Sequence, residues 1–377
     1  QSKTAVFTIR DKSFIRIEGF HFKDFEYGRA VLIESTEHLH DILPYKAEGN
    51  VIFNNTFENI GIADDPAGNG VVLGSYAGPD NAIGNNYFTN NYGYNIDCHG
   101  CFESRIIKNT ITQSKGKART WTTVYGSTGI KIGGEDKSDN IKSEDRPRTK
   151  GRNNFIAENV IFDFIKNADD YSAKGVWCDV NGDNHTIIGN IIFNTVGEGH
   201  INQGMEIESR CDDNLIQENM IYNIGGSAFI TAGDGVNSAL RNKWINNVAF
   251  NNNQGFAFRN SGYNIVKNNI AFNNKNSQVY VSNHTFKIGG NVFKNNLWFS
   301  EANSKIAIWN NPNLKEWKPA DLSFSQWVSS SGETGAISSN PKFILTTPGS
   351  EDFHLQPSSP ARSAGDNGVD IGVYPNG

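Results

Sequence analysis

Asn214-Leu215-Ile216-Gln217-Glu218-Asn219 carries a frame that recurs along the chain: a polar residue, any residue, Ile, two more, then Asn. Asn50 to Asn55, Asn81 to Asn86, Asn154 to Asn159 and His185 to Asn190 fit the same frame. Its closing Asn falls at 55, 86, 109, 159, 190, 219, 247, 269 and 296, in steps of 31, 23, 50, 31, 29, 28, 22 and 27. One step is roughly twice the others and must carry an insertion; the rest share the period of a solenoid.

Three residues before the closing Asn stand Ile52, Ile83, Ile106, Ile156, Ile187, Ile216, Trp244, Val266 and Phe293, which predict one stacked core column. Behind the Asn, Phe162, Phe193, Tyr222, Phe250, Phe272 and Phe299 predict a second column, and Val160, Ile191, Met220, Val248, Ile270 and Leu297 a third. The first three coils read there as shifted by one. These segments are too short and too β-branched for helices, and they alternate as strands do. Stacked coils bring equivalent residues to about 4.8 Å, where an Asn at a bend hydrogen-bonds to its copies above and below. The 50 Asn in 377 residues are thereby explained as turn ladders, not ligands.

Composition excludes several classes. No apolar run approaches the roughly 20 residues of a membrane helix. With 34 Lys and Arg against 40 Asp and Glu, net charge −6 and no basic block, nucleic acid is not expected as a partner. A hydrophobic content of 37% supports a large core, and 4 Cys are too few for a disulfide scaffold. Position 1 is not Met, and no signal or transit segment is legible.

A second recurring segment begins with Gly: Gly70 to Gly74, Gly93 to Asp97, Gly129 to Gly133, Gly175 to Asp179, Gly204 to Glu208, Gly226 to Ile230 and Gly255 to Arg259. Period two assigns Tyr94 and Ile96, Ile130 and Ile132, Val176 and Cys178, Met205 and Ile207, and Phe256 and Phe258 to the core. The outward face then holds Asn95, Lys131, Trp177, Glu206, Ala228 and Ala257 in one column, and Asp97, Gly133, Asp179, Glu208, Ile230 and Arg259 in the other. Asp179 and Glu208 each lie 11 residues before their closing Asn (190 − 179 and 219 − 208), so they occupy equivalent places on neighbouring coils. Adjacent parallel strands put such residues roughly 5 Å apart, the spacing of the nucleophile and acid/base in retaining glycosidases. Repulsion between them raises one pKa, as a general acid requires. Glu206 joins this catalytic set, Trp177 is expected as a sugar-stacking platform, and Lys131, Asp97, Asn95, Arg259, His200 and Asp234 are expected substrate contacts.

The coil repeat resembles the right-handed parallel β-helix proteins, a superfamily dominated by enzymes acting on polysaccharides. Asn340 to Phe343, Asp352 to Leu355, Ser359 to Ala361 and Asp370 to Tyr374 look like the C-terminal end of many bacterial members. The implied protein is one parallel β-helix domain over 1–377, of about ten or more coils, with Asn ladders, insertions at 113–128 and 134–153, and a C-terminal cap over 303–377 built around Trp309, Trp317 and Trp327. A secreted or periplasmic location, no membrane and a polysaccharide or oligosaccharide substrate follow from the same resemblance. Gly175 to Asp179 and Gly204 to Glu208 are similar to the paired-carboxylate coils of β-helix glycoside hydrolases of the β-xylosidase type, which would make Asp179 the nucleophile and Glu208 the acid/base without a cofactor. Glu206-Ile207-Glu208 is also similar to the calcium site of β-helix alginate and chondroitin lyases. On that alternative Glu206, Glu208 and Asp179 would hold Ca²⁺ and Lys131, Arg210 or Arg259 would be the base, although the Arg-His-Gly those lyases carry on the next coil is replaced by Ser227 to Thr231. A third alternative is a non-catalytic glycan-binding or filament module.

The chain opens on strand-like Ala5 to Ile9 and Phe14 to Ile17 without a capping segment. A missing piece, a covering insertion or self-association at this end is expected to protect the strand edges. Cys98-His99-Gly100-Cys101 reads as a buried thiol or a local disulfide, and Cys211 lies where it can approach Cys178.

Overall fold

A computed structural model describes residues 5–25, 28–36, 44–61, 69–74, 76–112, 128–134, 151–165, 173–196, 202–233, 238–282, 290–302, 305–310 and 319–374. Most of the two expected insertions, together with His200, Asp234 and Trp317, lies outside the described residues.

Three long parallel sheets run the length of the molecule. The first collects one strand per coil from Ala5–Arg10 to Ala307–Trp309, and Ala320–Leu322 adds to it antiparallel. The second has ten strands, from Arg16–Glu18 to Val292–Lys294, and the third has ten, from His21–Lys23 to Leu297–Phe299. Through the full coils successive long-sheet strands belong to different sheets, so each coil contributes once to each, and the fold is a right-handed parallel β-helix.

The bend between the second and third sheets explains the repeat. Its first residue sits in the left-handed region, as at Asn54, Asn85, Glu158, Glu218, Asn246 and Asn268, with φ between 52° and 56°. Asn tolerates that conformation better than most side chains. The next residue is the ladder Asn. Asn219 Nδ2 donates to Asn247 Oδ1 at 3.1 Å, Asn247 to Asn269 at 3.0 Å, and Asn269 to Asn296 at 3.0 Å. The same ladder descends from Asn55 through Asn86, Asn109, Asn159 and Asn190. It ends on Glu333, whose Oε1 accepts from Asn296 Nδ2 at 2.7 Å and whose Oε2 accepts the indole N–H of Trp298 and of Trp327, both at 2.6 Å. Burial, opposed by these donors, raises the Glu333 pKa.

The predicted column from Ile52 to Phe293 pairs in register through the second sheet and is buried. The other two columns are corrected. In the third sheet the inward residues are Ile161, Ile192, Ile221, Ala249, Ala271 and Trp298, between the two columns the sequence suggested. Tyr222, Phe250, Phe272, Met220, Val248, Ile270 and Leu297 instead face away from the coil interior. There they form a separate core with Phe343, Phe353, Leu355, Ala361, Ile371 and Val373 of the C-terminal segment. The first three coils are not shifted either: Thr110 pairs with Val160 and Ile111 with Ile161. Their outer positions hold residues such as Thr56, Glu58 and Thr112, so the change along the sheet is one of covering, not of register.

After the last full coil, helix Phe324–Ser331 inserts Trp327 against Phe293, Trp298 and Trp309, and ends at Gly332 in the left-handed conformation. At the other end Val6, Phe7, Phe14, Ile15 and Phe20 are exposed.

Candidate active site

The first sheet presents its outer face as the candidate site, and its strands begin at a tight bend. Gly129, Gly175 and Gly204 stand there because the interior is full: a Cβ on Gly175 would lie 2.5 Å from the Gly204 carbonyl and 2.6 Å from Ile192. In two of the coils whose strand was read as starting at a Gly, another residue fills this position, and there the predicted register is corrected by two residues. Asn95 and Ala228 occupy the bend, so Ile96 pairs with Ile130, Asp97 with Lys131, and Phe229 with Met205. Asn95 is fully buried, accepts from Asn91 Nδ2 at 3.0 Å and donates to the Thr128 carbonyl at 3.2 Å. It is a ladder residue and not an outward substrate contact. Tyr94, expected in the core, is only partly buried and pairs with Thr128 on the outer side.

The outer column therefore reads Asp97, Lys131, Trp177, Glu206, Ile230, Ala257, Tyr280. Asp179 directly follows Cys178, and Glu208 directly follows Ile207, the register partner of Cys178, so the two carboxylates leave equivalent points on neighbouring coils. Two disulfides brace this edge. Cys178 is joined to Cys211, tying the strand end beside Asp179 to the turn after Glu208, and Cys98 is joined to Cys101 around His99 and Gly100. Gly133, with φ 148°, lies so close that any Cβ would come within 2.6 Å of the Asp179 carbonyl.

Each carboxylate has its own partner. Lys131 Nζ is 2.7 Å from Asp179 Oδ2, and the Val180 N–H donates to Asp179 Oδ1 at 2.9 Å. Lys174 Nζ is 2.6 Å from Glu206 Oε2, close as an ion pair but off the direction of a hydrogen bond. Trp177 Nε1 donates to Glu208 Oε2 at 2.8 Å. The Trp177 ring contacts two ammonium groups, Lys174 at 3.6 Å and Lys131 at 4.7 Å from its centroid, and Lys131 also lies 4.8 Å from the centroid of the Tyr94 ring. At 4% exposure Trp177 offers no open face for a sugar. The expected stacking platform is thus corrected to a buried ring engaged by two cations.

These surroundings drive the two candidate carboxyls apart. Burial works against an ionised Asp179, but Lys131, the Val180 amide and His99 outweigh it and hold the pKa below the usual carboxylate value. Burial pushes Glu208 the other way, reinforced by Glu206 and Asp179 and opposed by Lys174 and Trp177, and its pKa rises to about 7. Burial likewise disfavours the Lys131 ammonium, yet Tyr94, Asp179 and Asp97 more than compensate and keep it charged.

Sequence reasoning located Asp179, Glu208, Glu206, Lys131 and Asp97 on this face and missed Lys174, Tyr94 and His99. Lys174 and Tyr94 sit at the bend, where alternation breaks; Lys174 immediately before a bend Gly was the available signal. Glu206, expected as catalytic, is engaged by Lys174 and buried. Arg259 lies in the column of Glu208, two coils further on. As a calcium site Glu206, Glu208 and Asp179 do not fit as arranged: two of the three are neutralised by ammonium groups. Among the described residues no three His, Cys, Asp or Glu side chains converge to hold a metal.

No family model and no curated protein sequence matches the chain. Among solved structures it is similar to XylC in complex with xylose, at 14% identity over 72% of this chain and 44% of that one, TM-score 0.45. It is also similar to PfbA, a surface adhesin of Streptococcus pneumoniae, at 12% identity over 79% and 75%, TM-score 0.49. A mutant of the periplasmic alginate epimerase AlgG gives 14% identity over 88% and 74%, TM-score 0.49. The chain spans less than half the length of XylC. None of these reaches 25% identity or a TM-score of 0.5, and the fold assignment rests on the coil stacking itself: the chain is a right-handed parallel β-helix.

Proposed function

We propose that the protein is a glycoside hydrolase acting on a polysaccharide outside the cytoplasm, with Asp179 and Glu208 as the reacting pair. The observation that supports this reading is the separation of the two pKa values on adjacent coils: one carboxyl held ionised, the other held protonated up to about 7. Pairs of titratable groups pushed apart in this way mark acid and base assignments. Glu208 protonates the glycosidic oxygen as the bond to the anomeric carbon breaks. Asp179, as carboxylate, attacks that carbon, and the resulting glycosyl ester is hydrolysed by water that Glu208, now ionised, deprotonates. Lys131 keeps the nucleophile charged, and Trp177 orients Glu208 through its indole N–H.

The reading is tested by Asp179→Asn and Glu208→Gln, assayed on a panel of neutral and uronate polysaccharides. Each substitution is expected to lower kcat by roughly 100-fold or more with the fold intact by circular dichroism. Unchanged rates on every cleaved glycan would place the chemistry elsewhere.

A further inference from the structure

Arg259 follows Phe258, whose register partner on the preceding coil is Thr231, and pairs with Ala232, which pairs in turn with Glu208. Two coil steps of about 4.8 Å put it roughly 10 Å from the Glu208 backbone along the helix axis, the reach of a disaccharide. The intervening outer positions are apolar: Ile230, Ala257 and Ala232. Lys131 and Lys174 are each neutralised by a carboxylate, whereas Arg259 makes no ion pair among the described residues. Its guanidinium lies over the Tyr280 ring, 5.3 Å from the centroid, and its Nε–H is buried without an acceptor. A second, independent group at the same place is also unsatisfied: Ser282, the next residue in the column, is fully buried and its hydroxyl has no partner. Buried donors without acceptors on two register-paired residues are costly unless a ligand supplies an acceptor.

We propose that Arg259, backed by the buried Ser282, forms an anion subsite that receives the carboxylate of an acidic sugar next to the one that is cut, which makes the substrate an acidic polysaccharide. The planar guanidinium matches a carboxylate through two parallel hydrogen bonds, and stacking on Tyr280 fixes its plane. This inference rests on the proposed cleavage site for its distance to the scissile bond, but not for binding itself.

The test separates the two. Tetrasaccharides of galacturonate, mannuronate and glucuronate, their carboxyl-reduced counterparts and a sulfated set are titrated calorimetrically into the Glu208→Gln protein, with and without Arg259→Met or Arg259→Lys. At least one uronate is expected to bind roughly 10- to 100-fold more tightly than its reduced form. Arg259→Met is expected to erase that ratio and Arg259→Lys to restore part of it. The loss of the ratio in Arg259→Met supports the subsite even where Asp179 and Glu208 prove dispensable for cleavage. Equal binding of acidic and reduced sugars, a ratio that survives Arg259→Met, an Arg259-dependent preference for the sulfated set alone, or no binding of any acidic member would overturn it.

Discussion

Asp179 and Glu208 are chemically alike and differ in what surrounds them. Lys131 removes the cost of ionising Asp179, while at Glu208 burial and the charges of Glu206 and Asp179 outweigh Lys174 and the Trp177 N–H. The rate is therefore expected to follow a bell, falling as Glu208 loses its proton near pH 7 and again at acid pH as Asp179 gains one. Lys131→Met removes the ammonium from Asp179, so the acid limb should move to higher pH while the alkaline limb stays; a profile unchanged at the acid side would show that Lys131 does not hold the nucleophile. Stability carries the same signature. The folded state binds the Glu208 proton more tightly than the unfolded chain, so this contribution is complete below the ordinary carboxylate pKa and is lost as pH rises through about 7. Glu208→Gln should flatten that part of the curve of melting temperature against pH. Period-two alternation made both carboxylates legible in the sequence. The role of Trp177 was not, because the cations that contact its ring come from a bend and from a neighbouring coil.

At the scale of one coil, the ladder Asn side chain replaces several backbone partners at once. Asn219 Nδ2 donates to Asn247 Oδ1 and to the carbonyls of Ile187 and Gln217, while its own Oδ1 accepts from Asn190. Asn219→Leu leaves buried carbonyls without donors, and about 2–4 kcal/mol of stability is expected to be lost, read as a lower denaturant midpoint. A loss under about 0.5 kcal/mol would mean that the ladder is not a principal support. The same physics shows why the ladder was readable and the register of two strands was not. Bend positions repeat in spacing and residue type, so Asn55 to Asn296 aligned without structure. Gly93 and Gly226 imitate the bend Gly, while Asn95 and Ala228 hold the true position, and only backbone pairing tells them apart.

Over the whole molecule, the third sheet has apolar residues on both faces along its C-terminal half, and it is the chain's last segment that covers the outer one. Alternation alone assigned those outer columns to the coil interior, since a strand covered on both sides shows apolar residues at every position. Removing residues 340–374 would uncover Tyr222, Phe250 and Phe272, and the shortened protein should bind a hydrophobic dye and aggregate while retaining its β-sheet circular dichroism; a monomeric, dye-negative product would contradict the covering role. The cleavage chemistry is the central claim, and mass spectrometry of the products tests it most directly, after incubation with neutral and acidic polysaccharides with and without EDTA. The account predicts fragments that have gained the elements of water, formed equally with EDTA and absent with Glu208→Gln. Unsaturated fragments that disappear with EDTA would contradict it and make the acidic strand a metal site after all.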